Sequence, residues 1–426
     1  MFPSHPPPAP RARHRARLAA ALRAIVAALP LAAGACVLDL SGLSDAPPAG
    51  GTGPGGAGGS GASATTDTTP TTSSGGAGGT GPATGGTGGA GPATGGGGTG
   101  GGPTCSPLSC GACEEPCPAG GCPPAVIANG ADVVSTPLGI AVAPGALYWV
   151  NETTGTVARL LDDGSPATVI ATGFLQPRTI AAGADLVVWS AKGGLWVCPP
   201  DSCEANKKKI ADPIASNSIQ EIAYDGTHVY WADRGTSQDA QDGQVRRCDP
   251  DDCQPTAIAT AQWAPIGVAL LDDTLLWGVQ ASPFPDGRIM KGSKLAAGSE
   301  ELTAGVVRPT GIAADALRVY WTQYNADGKI FRCPHTMGYC ETPVDVVPAL
   351  VPLVYPRDVA LAGGRIYFTT TEEDGAVRSC PVPGCGAALP EVHASGRPAL
   401  HRMAVGATCV FFTDETDGGS VVKVAR

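Results

Sequence analysis

The chain has 426 residues, including 60 Gly and 40 Pro, and its 28 basic against 38 acidic side chains leave a net charge of −10. Five of the basic residues, all Arg, lie within residues 1–35, and without them 23 basic residues face 38 acidic ones, a balance of −15. An acidic mature chain argues against nucleic acid or an anionic membrane surface as the main partner.

The N-terminus has the pattern of an export signal. A basic region ends at Arg17, an apolar run covers residues 18–33, and small residues follow up to Ala35. The run is interrupted by Arg23 and is too short to span a membrane comfortably. Cys36 comes next and resembles the lipidated cysteine of a bacterial lipobox, although Ala33 stands where that motif usually has Leu.

We therefore predict a signal peptide over residues 1–35 and a lipid anchor at Cys36, with ordinary cleavage after Ala35 as the alternative. An acylated Cys36 would tether the protein to a membrane of the cell envelope without crossing it. The predicted location is the outer membrane, facing either the periplasm or the cell surface.

Residues 36–104 continue the chain as a stalk that cannot fold. From about residue 46 the sequence consists of Gly, Ala, Thr, Ser and Pro in loose repeats, with no apolar face to bury. We expect disorder, and roughly 60 residues of flexible coil have an end-to-end distance on the order of 45 Å.

A Cys-rich segment over residues 105–123 separates the stalk from the rest of the chain. It holds Cys105, Cys110, Cys113, Cys117 and Cys122. The pair Cys110 and Cys113 has the spacing of half a zinc site, but no second half with matching Cys or His follows. In an exported protein these residues predict disulfides.

The remainder of the chain, residues 124–426, is built from a repeat of 40 to 47 residues. Each unit has a small apolar pair, a Gly or Asp turn, and a strand that ends in a large aromatic residue. Seven aromatic residues mark seven units: Trp149, Trp189, Trp231, Trp277, Trp321, Phe368 and Phe412.

Alternation with period two inside each unit predicts strands, and a repeat of this length predicts propeller blades. We therefore expect an all-β protein, a β-propeller of about seven four-stranded blades, with six blades as the alternative. The last unit ends after its third strand, and residues 125–134 read as the missing fourth strand. An N-terminal strand that completes the last blade would close the ring and remove free sheet edges.

The cysteines in the repeats occur in pairs at equivalent places, each after a short third strand. The pairs are Cys198 with Cys203, Cys248 with Cys253, Cys333 with Cys340, and Cys380 with Cys385. Lipidation of Cys36 and these four pairs leave the five early cysteines and Cys409, an even number. We predict that Cys409 bonds one of the five and fastens the N-terminal segment to the last repeat.

The repeat also resembles a known family. Residues 230–233 (Tyr-Trp-Ala-Asp), 320–323 (Tyr-Trp-Thr-Gln) and 411–414 (Phe-Phe-Thr-Asp) resemble the Tyr-Trp-Thr-Asp repeats of low-density-lipoprotein-receptor class B propellers, within the TolB-like superfamily. The resemblance covers about residues 125–426 and implies a propeller, which that family builds with six blades. The export signal, stalk and cysteine pairs resemble uncharacterised propeller lipoproteins of high-GC Gram-negative bacteria. A shared fold does not imply a shared function.

Propellers bind ligands where the loops that enter the first strands converge at the mouth of the central channel. Aligning the units places seven polar residues there: Arg178, Gln220, Glu221, Arg357, Asp358, His401 and Arg402. Two interpretations stay open. They form a site for a small polar or anionic ligand, or Glu221 and Asp358 pair with the arginines and fill the channel structurally.

The sequence contains no nucleophile elbow, phosphate loop or zinc-protease motif, and its six His are scattered. The predicted function is therefore extracytoplasmic binding or scaffolding of protein, peptide or glycan. The alternative is a channel-sited hydrolase, similar to a lactonase, or a lyase. A hard cation needs several convergent oxygens, and only two acids point inward, so we expect no cofactor; Ca²⁺ at Asp-rich turns such as residues 249–252 and 372–374 is the exception we retain.

Overall fold

A computed structural model describes residue 108 and residues 124–281, 286–336, 338–349, 351–371 and 375–426. These residues form seven four-stranded antiparallel sheets arranged as a ring of seven blades. The prediction of a seven-bladed propeller is therefore confirmed, and the six-bladed alternative is wrong. No helix in the described part of the chain is long and apolar enough to cross a membrane.

Within a blade the strands run outward from the channel in chain order. The first three blades contain Pro137–Ala143, Ala146–Asn151, Thr156–Leu161 and Thr168–Ala171; then Ile180–Ala182, Val187–Ala191, Gly194–Cys198 and Lys208–Ala211; then Ile219–Tyr224, Val229–Asp233, Gly243–Cys248 and Thr256–Gln262. Blades 4 and 5 contain Pro265–Leu271, Thr274–Val279, Gly287–Ser293 and Ser299–Val306; then Pro309–Ala314, Arg318–Gln323, Lys329–Pro334 and Val344–Asp345.

Blade 6 contains Pro356–Ala362, Arg365–Thr370, Ala376–Pro381 and Glu391–Ala394, and blade 7 contains Leu400–Val405, Cys409–Asp414 and Ser420–Ala425. The described residues also include a one-turn helix, Cys203–Asn206, and two short 3-10 turns, Pro200–Ser202 and Thr416–Gly418.

The fourth strand of blade 7 comes from the other end of the chain. Ala125–Asn129 pairs antiparallel with Ser420–Ala425, with Ala125 opposite Lys423 and Asn129 opposite Ser420. The predicted closing strand is confirmed, although it ends at Asn129 and the following residues form a turn. Because the first and last strands share one sheet, the ring has no open edge at the junction of its two ends.

The second strands hold the ring together. In each blade the aromatic residue faces the preceding blade, while the residue just before it faces the next blade, because successive side chains of a strand point to opposite faces. Trp231 thus packs with Val188 of blade 2, and Tyr230 packs with Trp277 of blade 4. The same pairing closes the ring, where Phe411 of blade 7 packs with Trp149 of blade 1.

The four predicted cysteine pairs are disulfide-bonded: Cys198–Cys203, Cys248–Cys253, Cys333–Cys340 and Cys380–Cys385. Each joins the third strand of a blade to the loop that leads to the fourth. The fourth strands are the least buried, so a covalent link here restrains the outer edge of the blade.

Cys409 is also disulfide-bonded, and its partner lies outside the described residues, since the other eight described cysteines pair among themselves. Its predicted pairing with the Cys-rich segment lies outside the described residues too. One described residue of that segment is close by: the carbonyl oxygen of Leu108 lies 3.4 Å from Cys409 Sγ. Leu108 also packs on the core between blades 7 and 1 and donates its backbone N–H to Asp162 Oδ1 at 3.2 Å.

The Cys409 bridge is expected to contribute more stability than a hairpin bridge. If Cys409 pairs with the Cys-rich segment as predicted, the bridge closes a loop of more than 280 residues. Loop-closure entropy gives about 2 kcal/mol for a loop of six residues and about 4.7 kcal/mol for one of 100. Urea unfolding of Cys409→Ala should show a larger loss of unfolding free energy than Cys198→Ala/Cys203→Ala. Equal losses would contradict a long-range bridge.

Candidate functional site

The channel-facing residues owe their direction to a bulge near the start of the first strand in six of the seven blades. The register between the first and second strands shifts at this point in blades 1 and 3 to 7, for example between Pro356 and Val359 and between Leu400 and Met403. A bulge bends the strand and redirects a side chain. Asp358 and Arg402 occupy these bulges, which turns them into the channel.

A bulge leaves a backbone N–H without a partner in the sheet, and hydroxyl groups of the second strands supply that partner. Asp358 N–H donates to Thr369 Oγ1 and Arg402 N–H donates to Thr413 Oγ1, both at 3.1 Å. The Thr413 hydroxyl then donates to Leu138 O of the next blade at 2.8 Å. The Thr of the Tyr-Trp-Thr-Asp pattern therefore joins two blades at the level of the site.

Inside the bulges lies a cavity of about 140 Å³ that is lined by the first strands of all the blades. Its charged lining residues are Glu221, Asp358 and Arg402. Glycines supply much of the remaining wall because neighbouring strands pass close together here. A Cβ at Gly311 would lie 2.8 Å from the backbone nitrogen of Val359.

Arg402 lies between the two carboxylates. Its Nη2 is 2.8 Å from Glu221 Oε2, and its Nη1 is 3.8 Å from Asp358 Oδ1. The three side chains are only 15 to 19% exposed. Burial opposes the charge on Arg402, but Glu221 and Asp358 outweigh it and raise the pKa of its guanidinium. The sequence placed the two acids three blades apart; only the structure shows that one arginine reaches both.

Further hydrogen bonds hold the two carboxylates in place. Glu221 Oε1 accepts from the Thr179 hydroxyl at 3.0 Å, and Asp358 Oδ2 accepts from the backbone N–H of Met403 at 3.1 Å. This is the arrangement expected of a structural ion-pair cluster. A hydrolase that used these carboxylates on a metal would first have to remove them from Arg402. The described residues contain no group of three or more His, Cys, Asp or Glu that could hold a metal ion.

The other four predicted residues precede the channel-lining positions by one residue or lie beside them, and their contacts differ. They are Arg178, Gln220, Arg357 and His401. Gln220 is buried, and its amide donates to the backbone oxygens of Asn217 and Ser218, so it closes the loop before its own strand. Arg357 Nη2 lies 2.7 Å from His401 Nε2. Arg178 forms no side-chain hydrogen bond or ion pair with the described residues.

The positive charges at the mouth repel one another. Burial, followed by Arg402 and Arg178, lowers the pKa of Arg357 to about 10. Burial, followed by Arg357 and the other two arginines, holds the pKa of His401 well below its usual value. His401 is therefore neutral, and its Nε2 accepts from Arg357. His401 Nδ1 is then the protonated nitrogen, and it has no hydrogen-bond partner among the described residues.

A second rim of polar side chains was missed by the sequence interpretation. It consists of the residues three positions after each aromatic: Glu152, Lys192, Arg234, Gln280, Tyr324, Thr371 and Glu415. Each donates its backbone N–H, at 2.8 to 3.3 Å, to a carbonyl in the turn just before the first strand of its own blade. The constant spacing was visible in the sequence and identifies this rim.

Other predicted sites do not belong to the channel. Asp249 Oδ1 accepts the backbone N–H of Asp251, which is ordinary turn capping, and residues 372–374 lie outside the described residues. Cys36 also lies outside them. The proposals for Ca²⁺ and for lipidation therefore stay predictions.

Loss of both channel carboxylates is expected to destabilise the fold. Glu221→Ala/Asp358→Ala would leave the Arg402 guanidinium buried without a counter-charge, which costs about 3–5 kcal/mol. Urea unfolding measures the change. The matched control is Asp201→Ala, whose 96%-exposed side chain pairs with Arg159 and should contribute no more than about 1 kcal/mol. Unchanged stability together with loss of a hydrolytic activity would instead favour the enzyme.

The depressed pKa of His401 predicts a pH dependence of stability. In the unfolded chain the imidazole titrates near pH 6.5, whereas the folded protein resists protonating it. Below pH 6.5 the unfolded chain binds the proton first, so the folded state loses up to about 1.4 kcal/mol per pH unit. His401→Gln should flatten this fall between pH 7.5 and 5.0 in urea unfolding, while His228→Gln, at a half-buried position outside the channel, should not. Parallel curves for all three proteins would contradict it.

A scan of family models found no match to the chain, and a search of curated proteins found none. Among solved structures, the Kuenenia stuttgartiensis hydrazine synthase is similar with a TM-score of 0.54 and 11% identity, over 68% of this chain and 96% of that one. A nidogen/laminin complex matches at 0.39 and 14%, over 49% and 80%, and the computationally designed protein Ika8 at 0.45 and 12%, over 70% and 100%. At these identities the hydrazine synthase match supports the fold alone, and the finer resemblance to Tyr-Trp-Thr-Asp propellers is not shown.

Proposed function

We propose that the chain is an exported, lipid-anchored β-propeller that acts as an extracytoplasmic binding or scaffold protein. The observation that carries this proposal is the set of disulfides: four blades have a bridge at the outer edge, and Cys409 is bonded as well. Disulfides persist in oxidising compartments outside the cytosol and are rare within it.

The N-terminal sequence supports the proposed address. Cys36 follows an export-type segment, and acylation there would place the propeller at the end of a long flexible stalk on the envelope membrane. The resemblance to Tyr-Trp-Thr-Asp repeats and to bacterial propeller lipoproteins agrees with this proposal. The partners we propose are protein, peptide or glycan at the cell envelope.

The geometry favours binding over catalysis. The closed ring is a rigid frame, because every blade interface is a packed core and the two ends of the chain share one sheet. Side chains on several blades converge on one end of the channel, and its two carboxylates are engaged by Arg402. Rigid frames that present converging polar groups bind ligands with little ordering cost.

Mass spectrometry of the protein from its native envelope fraction, under non-reducing conditions, tests the address. We expect a mature N-terminus at Cys36 that carries a diacyl or triacyl modification. Cys36→Ser should remove the lipid and move the protein to the soluble fraction, whereas Ser41→Ala should leave both unchanged. An unmodified N-terminus, at Cys36 or further along, would refute the lipid anchor.

A further inference from the structure

We propose that the mouth of the channel binds a small oxyanion, a carboxylate or phosphate group, between Arg178 and Arg357. We call Arg178, Arg357 and His401 the mouth site. The inference deepens the proposed binding function and rests on it for its biological role, since it names the chemistry that this end of the propeller recognises.

The first observation is that both guanidinium groups lack a negative partner. Arg357 contacts neutral His401, which accepts a hydrogen bond but supplies no charge. Arg178 has no side-chain partner among the described residues. By contrast, Arg402 contacts Glu221 and Asp358, and Arg397 contacts Asp414 Oδ2 at 3.0 Å. Partly buried charges are normally paired. Arg178 and Arg357 hold equivalent positions on blades 2 and 6, at the mouth of a channel narrow enough for Arg402 to reach blades 3 and 6, so an anion from outside the chain can serve both.

The second observation is an excess of positive charge. The two rings of channel residues hold three arginines, two carboxylates and neutral His401, in a protein whose net charge is −10. Burial and Arg402 lower the pKa of Arg178, and Arg402 and Arg178 add to the effect of burial on Arg357. The mouth site is thus short of negative charge, and a bound anion would relieve the repulsion.

The rim carboxylates lie near these charges but do not form ion pairs with them. Glu415 Oε1 lies 3.8 Å from His401 Nε2, and neither Glu415 nor Glu152 forms an ion pair with either guanidinium. Burial raises the pKa of Glu415, and the charge of Arg357 opposes that rise without a direct contact between the two side chains. An external anion therefore has a place that the described side chains leave open.

The third observation is size and geometry. The cavity inward of the mouth site, about 140 Å³, equals on the order of four or five water volumes. Two carboxylates, Glu221 and Asp358, line this cavity, so an anion held by the mouth site stays at the entrance, and the rest of a larger ligand would stay outside the rim. Guanidinium groups bind carboxylate and phosphate through paired hydrogen bonds, which fits a group held between two arginines.

Calorimetric titration of the full-length protein tests the mouth site. Sodium acetate and inorganic phosphate serve as probes, with NaCl at matched ionic strength as the reference. We expect binding of at least one probe, and at least a tenfold weaker Kd in Arg178→Gln/Arg357→Gln. The matched control Arg288→Gln/Lys209→Gln removes the same two charges from exposed ion pairs and should keep the wild-type Kd.

Two further pairs of probes identify the source of the group. Galacturonate is compared with galactose, and trialanine is compared with its C-terminal amide. Binding of an acid but not its neutral partner supports a carboxylate from a sugar or a peptide, respectively. Binding of inorganic phosphate alone supports a phosphate group.

The single variant Arg178→Gln guards against a folding defect, because its side chain forms no hydrogen bond with the described residues. It should unfold at the wild-type urea concentration and still lose affinity. The proposal is overturned if no probe binds the wild-type protein, or if the two mouth variants bind as tightly as it does. These outcomes are independent of the lipid analysis: an unacylated protein that binds acetate refutes only the anchor, and an acylated protein that binds no probe refutes only the mouth site.

Discussion

The fold depends on one kind of contact, the packing of second-strand side chains between neighbouring blades, which occurs seven times around a closed ring. Each second strand presents one side chain to the blade behind it and the next to the blade ahead. The chain alternates them without interruption from Tyr148 and Trp149 to Phe411 and Phe412. Buried aromatic residues contribute large contact areas and restrict the relative orientation of the blades. The ring closes only if the angles between neighbouring blades together complete the circle. A change at one interface is therefore expected to alter the geometry of the channel.

Ring closure also explains where covalent links are placed. The junction between blades 7 and 1 joins the two ends of the chain, and it is held by a shared sheet, by a packed core that includes Leu108, and by the bonded Cys409. The hairpin disulfides serve a more local purpose at the outer edges. The hairpin disulfides restrain fraying of a blade, whereas the predicted bridge from Cys409 to the Cys-rich segment would restrain opening of the ring.

The channel has two layers with opposite electrostatic character. In the inner layer, Arg402 is neutralised by carboxylates from blades 3 and 6, so the layer contributes structure. In the outer layer, the charges of Arg178 and Arg357 repel each other, and His401, which contacts Arg357, is neutral. The structural ion-pair cluster and the proposed mouth site therefore have neighbouring residues on the first strands of blades 6 and 7, Arg357 beside Asp358 and His401 beside Arg402.

The repeat alone predicted the blade count, the four hairpin disulfides and the closing strand. These are local patterns: the aromatic spacing recurs in every blade, and the cysteine pairs recur in four of them. The repeat also predicted that Glu221, Asp358 and Arg402 line the mouth of the channel. Alignment cannot report distances across a ring, so it could not show that Arg402 reaches two acids, nor that Gln220 turns back onto its own loop. Those outcomes depend on the channel's width and on the bulges, which arise only when seven blades pack together. The division of the polar residues into paired and unpaired charges was therefore decided by tertiary structure.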